Sequence, residues 1–174
     1  MDLKQVIRTV EDFPKPGVRF LDVTSILEDP IAFRQTVKWF CKQAANYKIE
    51  SIVAVDARGF IWAGAVADEL RIPLFLARKP GKLPGHVVTK EYETEYSTAS
   101  LSMLRDSKIS GPVMVIDDII ATGGTLNAVG SLLSEHWDIP PSKQVHTALI
   151  NLSFLPGSKN LERSGYTVAY IENY

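Results

Sequence analysis

Residues 113–125 read VMVIDDIIATGGT, and this run decides the fold. Val113 to Ile116 are apolar without interruption, the mark of a short strand buried on both faces. Two adjacent aspartates, Asp117 and Asp118, end it. A short turn through Ala121 and Thr122 follows, and Gly123 and Gly124 open a helix. A residue without a Cβ lets a ligand approach the backbone closely. A helix N-terminus offers free N–H groups and the positive end of its dipole, which suits a phosphate. Thr122 and Thr125 add hydroxyl donors. The two carboxylates repel a phosphate but accept hydrogen bonds, so vicinal hydroxyls are their natural partners. One segment thus offers acceptors for a diol and donors for a phosphate, the two groups that a ribose 5-phosphate carries. The alternatives are a capped strand–turn–helix with two solvated aspartates, or a nucleotide triphosphatase. The second needs a G-x-x-x-x-G-K-[ST] loop, and the chain has none.

Outward from this run, strands and helices alternate. Ser51–Val55, Pro73–Ala77, Val145–Asn151 and 166–171 read as further strands, and residues 31–47, 60–70 and 124–135 as helices. Residues 2–10 read as a short amphipathic helix, 18–23 as extended, and 24–30 as a turn region with Pro30 opening the next helix. The pattern predicts an α/β fold with a mostly parallel central sheet flanked by helices. Ligands bind such sheets at the carboxyl ends of the strands. The turns after Val55, Ala77 and Ile116 are therefore expected to face one crevice. Residues 78–100, rich in Lys, Gly, Pro, Thr and Glu, lack a strong period and read as a long mobile loop with some extended pieces, of a length that is usually functional or disordered.

Two of those turns carry anion-binding chemistry. Asp56-Ala57-Arg58-Gly59 joins a glycine to an arginine, which can surround an anion with N–H donors. Arg78, Lys79 and Lys82 place three cations within five residues. A plain connection and a solvated loop are the structural alternatives.

The bulk composition excludes several classes. The 174 residues suffice for about one domain. A formal net charge of -1 argues against a nucleic-acid surface. No run approaches the about 18 apolar residues of a membrane helix, and the first ten residues have no leader-like core. A cytoplasmic setting is expected, in keeping with the single cysteine, Cys41. His86, His136 and His146 are scattered without zinc-ligand spacing, so no protein metal site is expected.

VMVIDDIIATGGT resembles the phosphoribosyl-pyrophosphate motif of the type I phosphoribosyltransferases. DFPKPGVRFLDVTSILEDP (12–30), DARGFIWAGAVA (56–67), RKPGKLPG (78–85) and the Glu-Tyr of ETEYS (93–97) resemble the branch that acts on adenine. The resemblance runs from about residue 5 to the C-terminus and implies one domain over 1–174. Residues 1–30 would form a base-binding hood and about 83–100 a flexible lid. It further implies transfer of ribose 5-phosphate from 5-phosphoribose 1-diphosphate to adenine, giving AMP and pyrophosphate. Mg²⁺ would ride on the donor, and the chain would form a homodimer. Asp117, Asp118 and Ala121–Thr125 would hold the ribose and its 5-phosphate. Asp56, Ala57, Arg58, Gly59, Lys79, Lys82 and Tyr96 would hold the pyrophosphate. Arg19, Phe20 and Leu21 would meet the base, Phe20 by stacking. Glu95 would manage a proton at purine N7, and that needs a carboxyl pKa raised by burial. The chain departs from the family pattern at Asp56, where Glu is usual, at Leu21, where Arg is common, and in Thr94-Glu95-Tyr96-Ser97, where L-E-Y-G is usual. The same chemistry on hypoxanthine, guanine or a modified purine, and a non-catalytic sensor of the ribose donor, stay open as alternatives.

Overall fold

The computed structural model describes residues 2–93 and 98–174. After a 3-10 turn at Leu3–Gln5, β1 (Arg8–Val10) pairs antiparallel with β2 (Phe20–Asp22). The helix expected over residues 2–10 is therefore a turn and a strand. Leu3 and Ile7 are buried, as on a helical face, but Arg8 finds its partner outside the segment. Its N–H donates to the Ser25 hydroxyl at 3.0 Å, and that hydroxyl donates to the Val6 carbonyl at 2.8 Å. Tertiary partners override a weak local preference. α1 (Ser25–Glu28) adds one helical turn where only a turn region was expected. α2 (Pro30–Asn46) starts on Asp29, whose carboxylate accepts the Ile31 and Ala32 N–H groups at 2.9 and 3.1 Å. Pro30 takes the first position, where no N–H is needed.

β3 (Ser51–Val55), α3 (Gly59–Leu70) and β4 (Leu74–Ala77) follow the expected order. Then β5 (Val87–Glu93) and β6 (Thr98–Leu104) form an antiparallel ribbon where a long loop was expected. Along β5, Val88, Lys90 and Tyr92 are covered to some degree while Val87, Thr89, Glu91 and Glu93 are exposed. This is a strand period with a polar outer face, hard to tell from loop by composition. The ribbon is fastened at its foot by the Arg78–Ser102 bridge, whose two backbone bonds measure 2.9 and 2.7 Å. Lys90 pairs with Glu135 across from it.

β7 (Val113–Ile116), the short β8 (Ile119–Ile120), α4 (Gly124–Trp137), β9 (Gln144–Asn151), α5 (Gly157–Arg163) and β10 (Thr167–Asn173) complete the chain. The central sheet is parallel, in the order β10-β9-β7-β3-β4, with β8 beside β9. Alternation along the strands divides the core between its two faces. Ile52, Ala54, Met114 and Ile116 pack with α2, α3 and the N-terminal segment. Val53, Val55, Val113 and Val115 pack with α4, α5 and the ribbon. Helices on both faces explain why the strands read as unbroken apolar runs. The fold class is the expected one.

Candidate active site

The carboxyl ends of β3, β4 and β7 open into one cleft of about 1360 Å³, as a parallel sheet of this kind requires. Its floor is the turn after β7. The Asp117 N–H donates to the Thr147 carbonyl at 3.0 Å, and the Asp118 carbonyl accepts from Leu149 and Ile150, so β9 fixes both residues. Asp118 is 5% exposed, and its N–H donates to Asp117 Oδ1 at 2.8 Å. Asp117 keeps one side open to the cleft and is enclosed by protein elsewhere. Burial, and then the charge of Asp118, push its carboxyl well above the usual carboxylate range.

Beside the acid pair lies a hollow of about 60 Å³, lined by Asp117, Ile119 to Gly123, Thr125 and Leu126. That is room for a group of roughly two waters' volume. It sits under the N-terminus of α4, where no side chain caps the helix. Gly123 has φ 83, a left-handed conformation that side chains resist, and a Cβ there would lie 2.8 Å from the Gly157 carbonyl oxygen. Gly157 is packed as tightly in return, with the Ala121 carbonyl and Gly123 nitrogen against it. The start of α5 therefore holds the turn in shape.

On the next wall, the 56–59 turn contains a cis Asp56–Ala57 peptide. Arg78 clasps it. Its Nε donates to Asp56 Oδ2 at 3.1 Å, its Nη1 donates to the Lys82 carbonyl at 3.2 Å, and its guanidinium lies over Phe60. Arg58 reaches across the cleft to Asp118, Nε to Oδ2 at 2.5 Å. Gly59 abuts β7 so closely that a Cβ would lie 2.5 Å from the Ile116 carbonyl oxygen.

The opposite wall is the β1–β2 segment. Phe20 is half-buried, with Phe13 edge-on at 5.0 Å between ring centroids and the Arg58 guanidinium at 5.8 Å. Leu21 also borders the cleft, and at 8% exposed it packs in the core.

The structure thus brings Arg19, Phe20, Leu21, Asp56, Ala57, Arg58, Lys79, Asp117, Asp118, Ala121 and Thr125 to one cleft. Thr122 and Gly123 line the adjoining hollow. Gly59 and Gly124 are packing positions, Gly124 beneath the Glu93 carbonyl and Tyr92 of the ribbon. Lys82 is exposed and does not line the cleft. His86 is exposed at the foot of the ribbon, beside Asp106. Glu95 and Tyr96 lie outside the described residues. Among the described residues no group of three or more His, Cys, Asp or Glu is placed to hold a metal ion.

Sequence reasoning missed part of the wall. Leu152, Phe154 and Leu155, in the turn between β9 and α5, and Tyr92 and Tyr174 also line the cleft. Phe154 is 75% exposed. The available signal was Leu155-Pro156-Gly157, a turn sequence at the carboxyl end of a buried strand, where the fold class places ligands.

Residues 22–150 match the family of the phosphoribosyl transferase domain. The chain is 42% identical over 174 residues to the adenine phosphoribosyltransferase of Marinobacter nauticus, covering 98% of this chain and 95% of that one. To the Kosmotoga olearia enzyme of the same name it is 41% identical over 175 residues, with 100% of both covered. Among solved structures it is similar to adenine phosphoribosyltransferase from Thermoanaerobacter pseudethanolicus (TM-score 0.88, 34% identity, 99% of this chain and 98% of that chain). It is also similar to the Giardia lamblia enzyme complexed with 9-deazaadenine (TM-score 0.91, 28% identity, 99% and 96%). The match over most of its length and the full-length likeness to these enzymes show that the chain belongs to the phosphoribosyltransferase family, in the branch of the adenine phosphoribosyltransferases.

Proposed function

We propose that the chain joins adenine to 5-phosphoribose 1-diphosphate, giving AMP and pyrophosphate. The observation that carries this reading is one cleft holding the Asp117–Asp118 pair beside a hollow at the N-terminus of α4, with Phe20 on the facing wall. The hollow takes the 5-phosphate, with N–H groups of the 121–125 turn and the Thr122 and Thr125 hydroxyls as donors. Asp117 and Asp118 accept hydrogen bonds from the ribose hydroxyls. Arg58, Lys79 and the 56–59 turn face the diphosphate. Phe20 stacks on the purine, and the extended backbone of Arg19 to Leu21 reads its edge.

The reaction is a displacement at C1. Purine N9 supplies the electron pair of the new C–N bond, and the C1–O bond breaks with its pair leaving on pyrophosphate. Positive charge builds on the sugar, and the acid pair at the cleft floor opposes it electrostatically. As N9 bonds to C1 the purine must lose its N7 proton, and the Glu95 carboxylate accepts it. Residues 1–30 serve as a hood over the base and about 83–100 as a lid that excludes water, within one domain over 1–174. Mg²⁺ would be carried by the donor, where it would supply positive charge to the diphosphate oxygens, with Asp117 and Asp118 as the nearest carboxylates of the cleft. The setting fits it through oxygen chemistry: the Asp117 and Asp118 carboxylates stand side by side at the cleft floor. A homodimer is supported by Ile31 and Ile61, 71% and 39% exposed on α2 and α3. No helix among the described residues is long and apolar enough to cross a membrane, and the lone Cys41 suits a reducing cytoplasm.

The test is nucleotide formation from a panel of adenine, hypoxanthine and guanine with the same donor. Adenine should have the highest kcat/KM, and preference for another purine would overturn the assignment. Glu95→Gln should lose about 10²–10⁴ in rate while still binding the donor. A donor sensor would have no turnover to lose.

A further inference from the structure

Arg58, read above as a pyrophosphate residue, is already engaged in the structure. Its Nε lies 2.5 Å from Asp118 Oδ2, on a carboxylate that is nearly buried. The same guanidinium lies 5.8 Å from the Phe20 ring centroid, within the range at which an aromatic face holds a cation. One side chain from the 56–59 turn therefore touches both the carboxylate proposed for the ribose hydroxyls and the ring proposed for the base. Two adjacent enclosed acids need a countercharge, and among the described residues Arg58 is the cation paired with Asp118.

We infer that Arg58 straps the cleft, covering Asp118 and the Phe20 face until the diphosphate of the donor draws it away. The inference rests on the function proposed above and adds a coupling between its two ligand sites. The exchange conserves pairing. A diphosphate offers a planar guanidinium more charge and bidentate oxygens than one carboxylate does. Ribose hydroxyls then donate to Asp118 in place of Arg58, so no buried carboxylate is left bare. Phe20 loses its cation and presents an open face to the purine. Linkage makes the effect reciprocal: whatever factor the diphosphate adds to base affinity, the base adds to diphosphate affinity.

The test uses adenine with inorganic pyrophosphate and Mg²⁺ in a constant background of ribose 5-phosphate, which supplies the hydroxyls to Asp118 and has no leaving group at C1, so no transfer can occur. Adenine binding is measured by titration calorimetry with and without saturating pyrophosphate. In the wild-type chain pyrophosphate should tighten adenine binding by about fivefold or more. In Arg58→Gln, adenine alone should bind more tightly than to wild type, and pyrophosphate should no longer change it. Asp118→Asn removes the far anchor of the strap. It too should bind adenine alone more tightly, with a reduced pyrophosphate effect, and it carries the test if the Arg58 variant does not fold. Equal adenine affinity with and without pyrophosphate in wild type overturns the strap, as does an undiminished factor in Arg58→Gln. Turnover is read on the same wild-type preparation. Turnover without coupling removes the strap alone, whereas absence of turnover removes the proposed function.

Discussion

Asp117→Asn should make the protein more stable and a poorer catalyst. Asp117 is enclosed at the cleft floor beside Asp118, and burial first, then that neighbouring charge, raise its carboxyl well above the usual range. In the unfolded chain the same carboxyl ionises near 3.8, so at neutral pH folding must accommodate a charge that the folded site disfavours. A raised folded pKa contributes stability that is complete below the unfolded value and is lost as pH climbs through the folded one. Each pH unit of elevation costs about 1.4 kcal/mol once the group is ionised. Asparagine keeps the shape and can still accept the Asp118 N–H, now 2.8 Å from Oδ1, but carries no charge. Thermal unfolding of both proteins from pH 4 to pH 9 should show nearly equal stability at the acid end. The gap in favour of the variant should open as pH rises. Loss of a charged acceptor for a ribose hydroxyl should cost about 1.5–3 kcal/mol in the transition state, a fall in kcat/KM of roughly 10–150-fold. A variant no more stable than wild type at pH 8, or a gap that widens toward acid, would refute the reasoning.

Other expectations are simpler. In Gly59→Ala a Cβ would stand 2.5 Å from the Ile116 carbonyl oxygen and 3.2 Å from Asp117 Cα, both backbone atoms. Overpacking of about 1–3 kcal/mol should lower Tm by roughly 2–12 °C in differential scanning calorimetry. His146 is buried in β9, stacked on Tyr166, and burial lowers its pKa to about 3. Its neutral form is favoured in the fold, so stability should fall as pH drops from about 6.5 toward 3, by roughly 4–5 kcal/mol in total. Urea unfolding across that range should show a flatter pH dependence for His146→Phe. Phe20→Ala removes the stacking surface, so KM for adenine should rise by roughly 5–150-fold with a smaller change in kcat, read from initial rates.

The sheet was legible because its strands are covered on both faces. Ser51 to Val55 and Val113 to Ile116 are apolar runs for the reason that Ile52 and Val53 serve opposite halves of the core. The 121–125 turn was legible for a similar reason: Gly123 and Gly124 stand where backbones approach too closely for a side chain. The β5–β6 ribbon was not, since one face meets solvent and its polar residues mimic a loop. At the N-terminus, Leu3, Val6, Ile7 and Val10 satisfy a helical spacing, yet contacts with Ser25 and β2 decide for turn and strand. Asp117, Arg58 and Phe20 stand out in the sequence by residue type, and all three line the cleft. Leu152, Phe154 and Leu155 are ordinary apolar residues, and only the close packing of Gly157 on Ala121 and Gly123 shows why they border the cleft. Lys82 shows the converse. Its charge suggested a ligand, whereas in the structure its side chain is exposed outside the cleft lining and its backbone carbonyl accepts from Arg78.

The central claim is that one cleft holds a phosphorylated ribose on the 117–125 turn and a purine on Phe20. A crystal structure with 5-phosphoribose 1-diphosphate, Mg²⁺ and 9-deazaadenine tests it most directly. The account predicts the 5-phosphate in the hollow formed by Ala121 to Thr125, the ribose hydroxyls on Asp117 and Asp118, and the base against the Phe20 ring. A phosphate bound elsewhere with that hollow empty, or a base that does not touch Phe20, would contradict it.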